Sequence, residues 1–189
     1  MLTSPTLYEE IEWLRTILES AEQNNFMVDL SLCPHYMPGF IKNRDPEITS
    51  SKMNFLPFTL DHEIVRKTIS LWARLMASIA SEYDCVQSIC LTNEPSVRSN
   101  TSTTNHYQPL WHEFLKERYQ GDISRLNENH GTDYQSFDEV LMSKANKEAS
   151  AAYYDYRCFN DWVMTDFHKF IAEEIRKEYP DILLQAKMP

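Results

Sequence analysis

Two short runs constrain this chain most: FMVDLSLC at residues 26–33 and VQSICLT at residues 86–92. The first alternates strictly, with Phe26, Val28, Leu30 and Leu32 on one side and Met27, Asp29, Ser31 and Cys33 on the other, the period of a β-strand. A third strand-like run, DILLQAKMP, follows Pro180. The segments between them are too long for hairpins, and each carries helical patterning. Before the first strand, Ser4 and Pro5 read as N-cap and first helical residue, and Leu7, Ile11, Leu14, Leu18 and Ala21 then share a face. Before the second, Asp61 is placed to cap a helix whose Ile64, Thr68, Leu71, Leu75 and Ile79 recur at helical spacing. Before the third, a helix from about Asn146 to Tyr179 carries Tyr156, Phe159, Val163, Phe167, Phe170 and Ile175 on its beat until Pro180 stops it. Strands alternating with helices argue for an α/β fold with parallel strands joined by crossovers, either a doubly wound sheet or a (β/α)8 barrel.

Strand parity distinguishes these two. A sheet covered by helices on both faces is usually apolar on both, yet Met27, Asp29, Ser31 and Cys33 form a more polar row that leads to His35. The second strand repeats this, with Ile89 and Leu91 facing one way and Ser88, Cys90, Thr92 and Glu94 the other. A barrel can place such a row inside near its active-site end, so the barrel is the better match.

Composition removes several function classes. The chain has 3 glycines, Gly39, Gly121 and Gly131, so neither the dinucleotide fingerprint nor the P-loop can be written anywhere in it. A formal net charge of -10 disfavours nucleic acid and anionic membranes, which need clustered Lys and Arg. No run approaches the roughly 20 apolar residues of a membrane-spanning helix, and the first residues lack the basic and apolar regions of a signal peptide. A cytoplasmic location is the corresponding expectation. Cys33, Cys85, Cys90 and Cys158 make no zinc spacing and read as buried free thiols. His112 opens HEFLK, with Lys116 where a zinc-protease motif needs its second histidine. No metal and no cofactor are predicted.

Chemistry in parallel α/β folds gathers at the carboxyl ends of the strands. There the second strand breaks into Asn93, Glu94 and Pro95, then a polar loop; His35 and Lys187 hold the corresponding places on the other two strands. Glycoside hydrolysis needs a carboxylic acid to protonate the leaving oxygen and a second carboxylate to attack or to activate water. Glu94 suits the first role, and Asn93 can bond a sugar hydroxyl. His35, Tyr36, Arg98 and His106 lie in or beside loops after the strands, where sugar contacts are needed, and are candidate substrate-binding residues. The run Tyr153, Tyr154, Tyr156, Phe159 and Trp162 reads as core packing.

ICLTNEP resembles the fourth barrel strand of the clan A glycoside hydrolases, in which an Asn-Glu pair ends that strand and the Glu is the general acid/base. The likeness extends downstream: PLWHEFLKERYQGDISRLNENHGTDYQSFDEV and YYDYRCFNDWVMTDFHKFIAEEIRKEYPDILLQAK are similar to the region after the acid/base in glycoside hydrolase family 42, the β-galactosidase family. Three positions depart from that family's pattern: Gln120 intrudes before Gly121, His130 stands where an aromatic is usual, and Pro95 replaces an aromatic.

The resemblance implies barrel strands three to five with their helices, a single incomplete catalytic domain over residues 1–189. Strands one, two and six to eight would be missing, and with strand seven the nucleophilic Glu. The isolated chain is then expected to be inactive and, with open sheet edges, prone to associate. The implied function is retaining hydrolysis of terminal β-galactosides in oligosaccharides, with Glu94 as acid/base and a homotrimer for the intact enzyme. A non-catalytic carbohydrate-binding or interaction module is the competing reading, since a second carboxylate is lacking.

Overall fold

A computed structural model describes residues 5–35, 37–45, 48, 56, 58–95, 105–142 and 150–187. Its regular elements are α1 (Pro5–Gln23), β1 (Val28–Ser31), α2 (Gly39–Lys42), α3 (Glu63–Ala80), β2 (Val86–Asn93), α4 (Gln108–Arg118), α5 (Ile123–His130), α6 (Ala151–Arg176) and β3 (Leu183–Lys187). Short 3-10 turns lie at Asn105–Tyr107 and Phe137–Glu139. The chain divides into two compact units, one of Met1–His35, Lys67–Pro95 and His168–Pro189, the other of Tyr36–Arg66 and Ser96–Phe167.

The first unit is built on a three-stranded parallel sheet in the order β1-β2-β3. Its two faces differ as the sequence parity predicts. Val28, Leu30, Leu184 and Ala186 are partly buried, whereas Asp29, Ser31, Gln185 and Lys187 are exposed. On the polar face a row of hydrogen bonds crosses all three strands: Gln185 Nε2 donates to Ser88 Oγ at 2.8 Å, and Ser88 Oγ donates to Asp29 Oδ1 at 2.5 Å.

Helices cover the apolar face. The Trp72 indole of α3 donates to the Leu32 carbonyl at 3.1 Å, and Cys85 Sγ bonds the Leu18 carbonyl of α1. Leu18, Ile69, Ala77, Ile89, Ile171 and Ile175 are buried there. The buried residues of α3 are Val65, Ile69, Ala73, Met76, Ala77, Ile79 and Ala80; of the expected stripe Ile79 is thus buried, Ile64, Thr68 and Leu75 are half-buried and Leu71 is exposed. Over most of its length the buried face is therefore rotated by one residue from the expected one, with Val65, Ile69 and the small Ala73, Ala77 and Ala80 facing inward. The cap also shifts by one position: Ile64 N–H donates to His62 Nδ1 at 3.2 Å, so His62 rather than Asp61 closes the first turn.

In the second unit Tyr107, Trp111, Leu115, Leu126, Tyr156, Phe159 and Phe167 are buried. Phe159 is the hub, with its ring 5.4 Å from Trp111 and 5.5 Å from Phe114. The aromatic run of α6 is only partly core, since Tyr154 and Trp162 are exposed. DISRLNENH forms a full helix, α5, capped by Asp122, whose side chain accepts from Ser124 and Arg125 N–H, and ended by Gly131 at φ 68°. The thiols are free, but only Cys85 is buried; Cys33 is exposed.

A buried carboxylate ties α4, α5 and α6 together. Asp155 Oδ1 accepts from Arg118 Nε at 2.6 Å, and its Oδ2 accepts from Tyr119 Oη at 2.6 Å and lies 2.9 Å from His130 Nε2. Burial would raise the Asp155 pKa, but the hydrogen bonds of His130 and Tyr119 and the charge of Arg118 outweigh it and hold the carboxyl below its usual range. His130, where the family pattern has an aromatic, is thus a third partner for Asp155.

Candidate functional site at the carboxyl end of the central strand

The end of β2 departs from regular alternation. Cys90 stands opposite Gln185 and Asn93 opposite Lys187, so β2 takes three steps where β3 takes two. This is a β-bulge. It separates residues that strict alternation would place together: Thr92 is fully buried, and its Oγ1 lies 2.7 Å from His168 Nε2 of α6. Thr92 therefore turns toward the helix layer, and the expectation that Ser88, Cys90, Thr92 and Glu94 share one face is corrected at Thr92. The extra residue lets Asn93 join Gln185 and Lys187 on the open face.

Glu94 follows at φ 47°, a left-handed conformation that non-glycine residues seldom adopt and that recurs at functional sites. Its N–H donates to the Lys187 carbonyl at 2.7 Å, which fixes the turn to the neighbouring strand. Its Oε1 lies 3.6 Å from Lys187 Nζ. The carboxylate is thus half-exposed, with a cation from β3 beside it. From the other side, His35 Nε2 accepts the Asn93 N–H at 3.2 Å. Burial lowers the pKa of His35, which favours the neutral ring that this acceptor role requires. His168 is likewise lowered by burial.

The structure so brings together three of the candidate site residues, His35, Asn93 and Glu94, with Lys187 beside them at the strand end where the sequence also placed it. His106 belongs to the second unit, where its Nε2 stands 3.0 Å from Asp61 Oδ1 and its ring 5.4 Å from that of Tyr107. Tyr36 and Arg98 lie outside the described residues. His168 escaped sequence reasoning; the available signal was a titratable residue on the apolar stripe of α6, in step with Met164, Ile171 and Ile175. Chemically, the strand end offers a carboxyl able to give or take a proton, an amide able to bond hydroxyls, and an open side from which a ligand can approach both.

The family model described as beta-galactosidase, glycoside hydrolase family 42, matches residues 8–188. The chain belongs to the family 42 β-galactosidases. Solved β-galactosidases share its fold. The β-galactosidase of Bacillus circulans sp. alkalophilus superposes with a TM-score of 0.78 at 18% identity, over 93% of this chain and 29% of that one. That of the psychrophilic Marinomonas ef1 gives 0.76 at 20%, over 93% and 29%. The enzyme of the Antarctic haloarchaeon Halorubrum lacusprofundi gives 0.76 at 18%, over 94% and 29%. This chain therefore spans under a third of the length of these β-galactosidases, and its three parallel strands match part of their fold. No curated protein sequence matches it.

Proposed function

We propose that this chain carries the acid/base half of a retaining β-galactosidase, with Glu94 as general acid/base. Strands β1, β2 and β3 then correspond to barrel strands three, four and five, and the nucleophilic carboxylate comes from strand seven. In the first step Glu94 protonates the glycosidic oxygen while the nucleophile attacks the anomeric carbon, giving a covalent galactosyl enzyme. In the second, the Glu94 carboxylate takes a proton from water as that water displaces the nucleophile. Asn93 bonds the sugar 2-hydroxyl, an interaction that strengthens in the transition state. Its backbone is steadied by the neutral His35. Terminal β-galactosides of oligosaccharides are the substrates, and His35, Tyr36, Arg98 and His106 are candidate contacts for them.

The observation that carries this reading is Glu94 itself: a carboxylate in left-handed backbone at the end of the central strand, on the open side of the sheet and tied to β3. Glu94→Gln in the complete enzyme tests it. General acid catalysis contributes about 10²- to 10⁴-fold, so lactose hydrolysis should fall by that order. Activated aryl galactosides, whose leaving groups need little protonation, should lose much less in their first step. Unchanged turnover of lactose overturns the assignment.

A further inference from the structure

The proton donor of a glycosidase must meet one oxygen of its substrate, and Glu94 reaches its place only because β2 carries one extra residue between Cys90 and Asn93. That residue has to be held out of the open face. The only described side-chain bond on this stretch that reaches the helix layer is Thr92 Oγ1 to His168 Nε2, at 2.7 Å. Both ends are well placed to be rigid: Thr92 is fully buried, and α6 runs through buried Met164, Phe167, Ile171 and Ile175 around His168. On the opposite side His35 accepts the N–H of the next residue, Asn93. The bulge is therefore gripped from the helix layer through a side chain and from the open face through the backbone.

We propose that His168 is a positioning residue for galactoside hydrolysis: through Thr92 it locks the bulge of β2 and so aims the Glu94 carboxyl at the glycosidic oxygen, without itself touching substrate. This rests on the reading of Glu94 as acid/base. Loss of the bond frees Thr92, lets the bulge relax along β2, and misplaces Glu94 while the sugar site and the core persist. Misplacement of a catalytic group by about 1 Å costs on the order of 10²-fold, and here the cost falls on proton transfer to the leaving group.

The test compares kcat and KM for lactose and for an activated dinitrophenyl galactoside in the complete enzyme. Thr92→Val removes the hydroxyl and keeps the shape; His168→Leu removes the ring nitrogens; His168→Gln restores a polar end. Thr92→Val and His168→Leu should each lower kcat for lactose by on the order of 10- to 100-fold with KM little changed, and spare the dinitrophenyl galactoside. The double variant should lose no more than either single one, as expected of one shared interaction, and His168→Gln should recover part of the loss. Equal losses on both substrates, additive losses, or wild-type lactose turnover in Thr92→Val overturn the proposal; where His168→Leu fails to fold, Thr92→Val decides. Glu94→Gln separates the two readings. If it too lacks the leaving-group split, the acid/base assignment fails and takes this proposal with it. If it shows the split and Thr92→Val does not, the positioning role alone fails.

Discussion

The imidazole of His35 accepts the backbone N–H of Asn93 at 3.2 Å, so the residue that precedes the candidate acid/base is held by a ring from the turn that follows the neighbouring strand.

That acceptor role gives the fold a pH dependence. Burial holds the pKa of both His35 and His168 below the ordinary 6.5. Above that value the rings are neutral in the folded and unfolded chain alike, and their stabilising contribution is intact. As pH falls, the unfolded chain takes up protons first, so stability declines until pH passes the lowered folded values. Urea unfolding at a series of pH values should show this loss between about pH 7 and pH 5, and it should be smaller in His168→Gln. A midpoint that does not move in that range would contradict it.

Asp155 should be among the costliest single positions in the second unit. Its carboxylate is 3% exposed and serves Arg118, Tyr119 and His130 together, and the Tyr119 phenol is pushed up to about 12 by burial and by that same carboxylate. Asp155→Ala takes the carboxylate from two buried polar groups, Tyr119 and His130, and from the partly exposed Arg118, which costs about 1–3 kcal/mol. Asp155→Asn still accepts hydrogen bonds and should cost less. Chemical denaturation that ranks the alanine variant no lower than the asparagine variant would be inconsistent with the clamp.

Gly131 ends α5 at φ 68° with its N–H on the Asn127 carbonyl at 2.8 Å. A Cβ there meets nothing within 4 Å, so Gly131→Ala is a purely conformational change. It should lower stability by about 1 kcal/mol with no change in the core. A neutral effect on thermal unfolding would show that the turn relaxes.

Glu94 pays in conformation for its position. At φ 47° an asparagine is tolerated better than a glutamate, and the exposed contact with Lys187 is worth little, about 0 to 1 kcal/mol. Glu94→Asn should therefore be as stable as wild type, or more stable by up to about 1 kcal/mol, while losing hydrolysis of poor leaving groups. A clear drop in melting temperature would mean the glutamate also holds the strand end together.

Much of this was legible because its causes are periodic. The three strands, their parallel order and the polar row from Asp29 follow from alternation, and Glu94 with its neighbours His35 and Lys187 follows from the rule that sites gather at strand ends. The bulge was not legible, because it carries no glycine or other local mark; it is visible only in the pairing of Cys90 with Gln185 and Asn93 with Lys187. Parity carried straight through it put Thr92 on the wrong face and hid its bond to His168. The rotation of α3 escaped for a similar reason, since Ala73, Ala77 and Ala80 weigh little on a hydropathy scale yet face inward.

The bulge makes β2 a strand with two masters. From Ser88 to Cys90 its side chains answer to the sheet, rung by rung with Asp29 to Ser31 on one side and Leu183 to Gln185 on the other. Beyond it Thr92 answers to the helix layer, and Asn93 returns to the open face. The extra residue works like a vernier, turning the last positions by half a repeat without disturbing those below. A family that keeps such a joint can exchange core residues on the lower strand while its reactive end stays in phase, and a one-residue deletion there would leave the core rungs intact but bring Asn93 into the place of Thr92, beneath a helix.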